Sequence, residues 1–318
     1  MNQLTFNNGD TLPAIGLGTW KSAPGEVHRA VVEALHAGYR HIDCAAIYGN
    51  EPEIGQALRE VLDQGTVQRE ELWITSKLWN TAHRKEDVLP ALKKTLNDLQ
   101  LDYLDLYLMH WPIALQPDLT TFPERAEDFL SLEEVPLIET WQAMEATAEQ
   151  GMVKHLGVSN FSVKKLRALQ QEATHAPEMN QVEMHPLLQQ SDLMAFCQQE
   201  GIHLTAYSPL GSGDRPERLK NEDHINLLEE PTIRQIADKH SCSTAQVLIR
   251  WAVARGTAVI PKSVNPERIR QNLAAAKVEL DEQDMQKIAE LDRHSRYVDG
   301  TTWVMKGNSY TLANLWDE

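Results

Sequence analysis

The chain has 318 residues, of which 42% are hydrophobic, so a substantial core can form in one large domain or in two ordinary ones. Its formal net charge of -16 opposes binding to nucleic acid phosphates and to anionic membranes, although locally placed cations can still bind a small anionic ligand. The sequence contains no uninterrupted apolar run of membrane-spanning length, and a transmembrane helix is therefore not expected.

The first residues predict a β-hairpin, and a long alternation of strands and helices follows it. The segments LTF and TLPAI flank NNGD, in which Asn8 and Gly9 suit the positive-φ turn that hairpins prefer. From residue 14 onwards, short apolar runs are followed again and again by amphipathic helical segments. The runs, each a predicted strand, span residues 14–19, 39–44, 72–78, 103–111, 154–160, 179–184, 202–210 and 257–263.

Strands that alternate with helices indicate a parallel sheet, and eight such units in about 300 residues suit a closed α/β barrel of the (β/α)8, or TIM, type. A doubly wound open sheet is the alternative. No linker rich in Pro, Gly or Ser divides the chain, so a single domain over residues 1–318 is predicted.

Several predicted helices carry sequence signals at their ends. Ser243 and Gln246 form a possible capping box, and Asn265 is a suitable N-cap before a proline at the first helical position. Three glycines lie where helices are expected to end: Gly38, Gly151 and Gly201.

Four reactive side chains fall where the active site of a (β/α)8 barrel is expected, at the carboxyl ends of the strands. Asp43, Lys77 and His110 end the second, third and fourth predicted strands, and Tyr48 lies in the loop after the second. Taken singly, each is more often structural: a cap, a core histidine or a packing tyrosine. Together, and with a lysine that needs a buried anion such as Asp43, they predict a catalytic site.

The chemistry of this group suggests an acid for carbonyl reduction. A lysine ammonium beside the phenol is expected to lower the pKa of Tyr48 from its usual value of about 10, with Asp43 holding Lys77 in place. A neutral His110 would donate a hydrogen bond to a carbonyl oxygen. Because no side chain supplies a hydride, a nicotinamide cofactor is required.

The usual dinucleotide motif GxGxxG is absent. Lys21 replaces the third glycine of the pattern that begins at Gly16, and Pro216 replaces it in GSGDRP. The segment IPKSVNPERIRQN instead places Lys262, Ser263 and Arg268 around a helix start, which is a favourable place for a phosphate. A monophosphate ligand and a solvated basic helix face are the alternatives.

Eight motifs, in order and at similar spacing over nearly the whole chain, resemble the aldo-keto reductase superfamily, and most of all its aldose/aldehyde reductase branch. They are GLGTW, HIDCAAIYGNE, ITSKLW, LYLMHWP, GVSNF, NQVEMHP, AYSPLGSGD and IPKSVNPERIRQN. The resemblance implies that Asp43, Tyr48, Lys77 and His110 form a catalytic tetrad with Tyr48 as the proton donor. It also implies an NADPH-dependent enzyme that reduces aldehydes and ketones to alcohols.

The resemblance further implies three sets of binding residues. Those expected to bind the nicotinamide of NADPH are Ser159, Asn160, Gln181 and Tyr207, and Thr19, Trp20 and Asp43 are also expected to bind the cofactor. Those expected to bind the pyrophosphate, the 2'-phosphate and the adenine are Ser208, Leu210, Ser212, Asp214, Lys262, Ser263, Val264, Asn265, Arg268, Gln271 and Asn272. Those expected to line the substrate pocket are Trp20, Tyr48, Trp79, His110, Trp111, Phe122 and Trp303.

The tail after about residue 295 lacks helical periodicity, and the resemblance implies that it folds over the active site as a loop. Tyr297, Val298 and Trp303 are the candidates for contacts in this lid. The scattered cysteines, without a CxxC pair, and the absence of a targeting segment favour a reducing, cytoplasmic location. A monomer acting on a small carbonyl compound, without nucleic acid, membrane or metal, is expected.

Two other functions remain open at this point. A protein with this fold can bind the cofactor yet serve as a regulatory or interaction partner, although four intact catalytic residues disfavour that interpretation. A metal-assisted barrel hydrolase would need clustered His and carboxylate ligands at the strand ends, where no HxH pair is found.

Overall fold

The computed structural model describes residues 3–213 and 225–318. In chain order, its strands are β1 (Gln3–Thr5), β2 (Thr11–Pro13), β3 (Leu17–Gly18), β4 (His41–Asp43), β5 (Trp73–Leu78), β6 (Leu104–Met109), β7 (Ala114–Leu115), β8 (Phe129–Leu130), β9 (Val153–Ser159), β10 (Met179–Glu183), β11 (His203–Tyr207) and β12 (Ala258–Val259). Eight of them form one parallel sheet in the order β3-β4-β5-β6-β9-β10-β11-β12.

The two edges of this sheet meet, as the sequence predicts for a barrel and not for a doubly wound open sheet. Parallel bridges join Ile15 to Val259 and Gly18 to Lys262 across the first and last strands. The Gly16 amide donates to the Val259 carbonyl at 2.9 Å. The (β/α)8 prediction is therefore confirmed, while a single domain over the whole chain stays a prediction.

Helices surround the barrel strands. They are α1 (Glu26–Ala37), α2 (Glu51–Asp63), α3 (Lys85–Leu99), α4 (Leu137–Glu149), α5 (Val163–Glu172), α6 (Ser191–Glu200), α7 (Pro231–Lys239), α8 (Thr244–Ala254), α9 (Pro266–Ala274), α10 (Glu282–Ala289) and α11 (Leu312–Trp316). None of these helices is long and apolar enough to cross a membrane, in the part of the chain that is described.

The predicted helix ends agree with the structure. Ser243 and Gln246 form the capping box of α8, and the Asn265 side chain accepts a hydrogen bond from the Arg268 amide at the start of α9. Gly38 ends α1 in the left-handed region, at a φ of 105°, where a side chain would be strained.

The N-terminal hairpin is also confirmed, and it covers the amino-terminal end of the barrel. β1 and β2 pair in antiparallel register, and only Gly9 of the predicted turn pair has a positive φ. Phe6 in the loop packs on Trp73 and His155, with ring centroids 5.0 and 4.3 Å apart. This end of the barrel is therefore filled by side chains and leaves the opposite end for a ligand.

The alternation of side chains along each strand decides which residues point into the barrel. In β6, Leu106 and Leu108 belong to the cluster inside the barrel, whereas Tyr107 and Met109 pack with the surrounding helices. Continuing the inward series by two residues leads to His110. Steps of two residues likewise lead from Trp73 through Thr75 to Lys77 in β5 and from His41 to Asp43 in β4. In β10 they lead from Met179 to Gln181 and Glu183.

Several barrel strands are shorter than the predicted runs: β3 covers two residues instead of six and β4 three instead of six. β12 covers two residues instead of seven, because Pro261 lacks the N–H that a longer ladder would need. The polar insertion after β6 contains the small antiparallel pair of β7 and β8. The tail, expected to be a loop, contains the short helix α11.

One buried carboxylate lies outside the barrel, between the sheet and the helices. Glu51, at the start of α2, is 3% exposed and accepts hydrogen bonds from Ser76 at 2.5 Å and from Thr95 at 3.1 Å. Burial raises the pKa of Glu51 from 4.5 to about 7, against the opposing effect of these two hydroxyls.

We predict that replacing Glu51 by Gln changes how stability depends on pH. Between pH 4.5 and about 7 the folded protein holds this proton more tightly than the unfolded chain, so the free energy of unfolding falls as pH rises through that range. Going from pH 5 to pH 8, Glu51→Gln should therefore gain about 2–3 kcal/mol relative to the parent protein. Urea unfolding at both pH values measures this difference. The exposed Glu149→Gln is the matched control, and an equal gain in both variants would contradict the assignment.

Candidate active site

A cavity of about 800 Å³ opens at the carboxyl ends of the barrel strands. Nearly all of the predicted site residues line it, and they divide into three regions: a proton-transfer centre, a long polar arm and an aromatic wall. Among the exceptions, Lys77 lies behind the cavity wall and is fully buried. Asp214 lies outside the described residues.

The centre is built around a buried ion pair. Lys77 Nζ lies 2.6 Å from Asp43 Oδ2 and donates a second hydrogen bond to the Cys44 carbonyl at 2.8 Å. Gln181 donates to the other Asp43 oxygen at 2.8 Å, and Thr19 donates to the Asp43 carbonyl at 2.8 Å. Both charges are therefore compensated by partners, which a buried pair requires.

Tyr48 and His110 face each other in front of this pair. Their rings are 6.0 Å apart and nearly perpendicular, and Lys77 Nζ lies 5.3 Å from the centre of the Tyr48 ring. Burial, helped by the charge of Lys77, lowers the pKa of His110 well below its usual value. His110 is thus neutral at physiological pH and retains one ring N–H to donate, as the sequence analysis expects.

The expected acidity of Tyr48 is wrong for the protein alone. Its phenol reaches the cavity but is enclosed on its other sides, and this burial raises its pKa well above 10, with Asp43 acting in the same direction. The positive charge of Lys77 does not reverse the shift, because Asp43 at 2.6 Å offsets it. Tyr48 is therefore a fully protonated O–H donor at neutral pH.

The polar arm begins beside this centre with residues from three neighbouring strands. Asn160 donates to the His110 carbonyl at 3.0 Å and accepts from the Tyr207 hydroxyl at 2.7 Å. Ser159 donates to the Gln181 carbonyl at 2.7 Å. These bonds hold the amide and hydroxyl groups of Ser159, Asn160 and Gln181 and the ring of Tyr207 around one end of the cavity.

The arm continues along the β11 loop to the start of α9. The predicted residues that line this part are Ser208, Leu210, Ser212, Lys262, Ser263, Val264, Arg268, Gln271 and Asn272. Lys262 and Arg268 thus lie near a helix N-terminus, which favours an anion. Asn265 does not line the cavity, because its side chain caps α9.

The aromatic wall forms the third region. Trp303 from the tail lies against Trp79, Trp111 and Phe122, with ring centroids 5.9, 5.3 and 6.1 Å apart. Trp20, on the other side, lies 6.5 Å from Tyr48. Tyr297 and Val298 of the tail also line the cavity, so all three candidate lid residues reach it.

Several residues of the lining were not predicted from the sequence. Ile47 lies in the loop one residue before Tyr48, and Thr244 and Ala245 open α8 beside the polar arm. The STAQ capping box marked the position of that helix start but carried no signal that it faces a ligand cavity. Asp299 and Thr302 of the tail, where no periodicity guides a prediction, were missed as well.

Comparison with known proteins agrees with this fold. A model of the aldo/keto reductase family matches residues 14–293. An aldo/keto reductase of Synechocystis sp. is 56% identical over 318 residues, covering 100% of this chain and 97% of that protein. The human aldo-keto reductase family 1 member A1 is 50% identical over 294 residues, covering 92% and 90%.

A solved structure extends the likeness to three dimensions. The aldose reductase of Schistosoma japonicum superposes with a TM-score of 0.87 at 39% identity, covering 95% of this chain and 96% of the other. The protein defined by this barrel and this cavity is an oxidoreductase. It belongs to the aldo/keto reductase family, whose general reaction is carbonyl reduction.

We predict that neither Tyr48 nor His110 titrates near neutral pH. In protein labelled with 13C in the tyrosine and histidine rings, the Tyr48 signal should not shift below pH 10, and the His110 signal should not shift between pH 6 and 8. Spectra of Tyr48→Phe and His110→Gln assign the two signals. A Tyr48 midpoint below about pH 9 would show that Lys77 outweighs burial after all.

Proposed function

We propose that this protein reduces aldehydes and ketones to alcohols with NADPH as the cofactor. The observation that carries the proposal is the Asp43–Lys77 ion pair behind a protonated Tyr48 and a neutral His110, at the junction of a polar arm and an aromatic wall. Two hydrogen-bond donors then line the same part of the cavity, where a carbonyl oxygen would bind.

We assign the proton transfer to Tyr48. His110 donates a hydrogen bond that orients the carbonyl, and Tyr48 gives its proton to the oxygen as negative charge develops there. Because the pKa of Tyr48 is raised, the phenol keeps its proton until that charge appears. Lys77, whose Nζ lies 5.3 Å from the centre of the Tyr48 ring, then stabilises the phenolate, and Asp43 keeps Lys77 in position.

The polar arm has the donors and charges that suit NADPH. Ser159, Asn160 and Gln181 match a carboxamide, the ring of Tyr207 can stack on a nicotinamide, and Lys262 with Arg268 matches a ribose phosphate. When bound, the nicotinamide supplies the hydride that reduces the carbonyl carbon. Among the described residues of the lining, Lys262 and Arg268 are the only lysine and arginine, which supports a phosphate at that end of the arm.

The aromatic wall favours uncharged, apolar carbonyl compounds. Trp20, Trp79, Trp111, Phe122 and Trp303 supply wide apolar surfaces beside Tyr48 and His110. Aromatic aldehydes should therefore be better substrates than small hydrophilic ones. A monomeric state stays a prediction, and a cytoplasmic location is supported by the three free cysteines, Cys44, Cys197 and Cys242.

We predict that Tyr48→Phe abolishes turnover and leaves cofactor binding intact. The change removes one hydroxyl and keeps the ring, so NADPH should still enhance or quench protein fluorescence with an unchanged dissociation constant. The kcat for an aromatic aldehyde, followed by NADPH absorbance, should fall by about 10²–10⁴-fold. Parent-like turnover in Tyr48→Phe would refute the acid assignment. NADPH binding by the parent protein without turnover of any aldehyde or ketone would instead indicate a regulatory protein.

We predict that Lys262→Ala weakens the binding of NADPH much more than the binding of NADH. The two cofactors differ by the 2'-phosphate, and loss of a charge-assisted contact to it should raise the NADPH dissociation constant by about 10–100-fold. The exposed Lys287→Ala, which lies on α10 away from the cavity, is the matched control. Equal losses of NADPH and NADH affinity in Lys262→Ala would remove the proposed phosphate contact.

A further inference from the structure

Glu183, the last residue of β10, holds the start of the C-terminal tail. Its carboxylate is 2% exposed, and its Oε1 accepts a hydrogen bond from the Tyr297 amide at 2.6 Å. Its Oε2 accepts one from the Val298 amide at 2.8 Å. A ring nitrogen of His185 lies 2.7 Å from Oε1, so both oxygens have partners. Charge-assisted hydrogen bonds of this kind are stronger than those between neutral groups.

The residues held in this way begin the wall of the substrate pocket. Tyr297 and Val298 both line the cavity, and five residues after Val298 the chain reaches Trp303. Trp303 is 3% exposed and packs between the rings of Trp79 and Trp111. The two backbone bonds to Glu183 therefore set where the tail enters the cavity and where its aromatic ring comes to lie.

The same strand connects this anchor to the reactive centre. Gln181 precedes Glu183 by two residues and so points to the same face of β10. Gln181 donates to Asp43 at 2.8 Å, while Glu183 accepts from the tail. A short, rigid piece of strand thereby fixes the distance between the proton-transfer centre and the tail. A site placed on a strand is better defined than one that depends on loops alone.

A second contact from Tyr297 serves a different part of the cavity. Its hydroxyl donates to the Ile225 carbonyl at 2.6 Å, at the point where the described chain resumes after the β11 loop. The Tyr297 backbone is thus bonded to Glu183, near the proposed substrate pocket. Its hydroxyl is bonded near the β11 loop, which lines the proposed cofactor arm of the cavity. Tyr297→Phe removes the hydroxyl contact and leaves the backbone bond to Glu183.

We propose that Glu183 is a positioning residue for substrate selection. By holding the Tyr297 and Val298 amides, it keeps the tail in the place where Trp303 completes a pocket for large carbonyl compounds. It does not touch the reacting atoms, so it acts on binding of substrates that reach the tail and not on proton transfer. This inference rests on the proposed carbonyl reduction.

The isosteric Glu183→Gln tests the proposal through a comparison of two substrates. Glutamine keeps the volume but turns one acceptor oxygen into an N–H2 group that faces a backbone N–H. The KM for a naphthaldehyde, which reaches Trp303, should rise by about tenfold or more. The kcat and KM for propanal, which does not reach the tail, should stay within about twofold of the parent values.

The control variants separate this role from general damage. Glu200→Gln, on the surface of α6, should behave as the parent protein toward both aldehydes. Tyr297→Phe should change the NADPH dissociation constant by a larger factor than it changes the KM for the naphthaldehyde. If Glu183→Gln does not fold, the shorter Glu183→Asp, which cannot reach both amides, should show the same selective rise. An equal change for both aldehydes, or no change for either, would overturn the proposal.

Hydrogen exchange provides a readout that does not depend on enzymatic activity. In protein without cofactor, the Tyr297 and Val298 amides should exchange about 10–100-fold faster in Glu183→Gln, while amides of β6 stay unchanged. Unchanged exchange at these two amides would overturn the anchor even if the protein is a reductase. If these amides exchange faster in Glu183→Gln but the parent protein reduces no carbonyl compound, the proposed function would be refuted. The role of Glu183 in holding the tail would then still be supported.

Discussion

The site depends on the ion pair between Asp43 and Lys77. Both side chains are buried, at 1% and 0% exposure, and removing either partner of such a pair typically costs about 3–5 kcal/mol, because the remaining charge is left without compensation. The barrel makes the pair possible, since β4 and β5 are adjacent parallel strands and Lys77 lies two residues beyond Thr75, the register partner of Asp43. Gln181 donates a further hydrogen bond to Asp43, and the Cys44 carbonyl accepts a further one from Lys77. Through Gln181, which also accepts a hydrogen bond from Ser159 at its carbonyl, the pair is connected to the polar arm.

The electrostatics of the cavity follow from this arrangement. Burial is the main cause of the protonation states of the groups that face the cavity: His110, whose pKa the charge of Lys77 lowers further, stays neutral, and Tyr48, whose pKa Asp43 raises further, keeps its proton. The centre therefore presents two donors without a net charge. The cations of the described lining, Lys262 and Arg268, lie at the far end of the polar arm, so the proposed anionic cofactor group and the proposed uncharged substrate would bind at different ends of one cavity.

Much of this could be predicted from the sequence, for reasons that are local and periodic. Alternation along strands gave the inward direction of Asp43, Lys77 and His110, and capping signals located α8 and α9. The acidity of Tyr48 could not be predicted, because it depends mainly on how far the folded chain buries the phenol. The contacts of the tail could not be predicted either. Those at Glu183 and Trp303 join residues more than a hundred positions apart, and no repeat or hydrophobic periodicity in the sequence indicates them. Asn265 shows a third reason, since one side chain can either cap a helix or bind a ligand.

The central claim is that Asp43 and Lys77 act as one unit in carbonyl reduction. A double-mutant cycle with Asp43→Asn, Lys77→Met and the double variant tests it directly, with the kcat for an aromatic aldehyde as the measured quantity. The account predicts strong non-additivity, with each single variant losing nearly as much activity as the double variant and a coupling free energy of about 1–3 kcal/mol. Additive losses would contradict it, because they would mean that the two residues contribute independently.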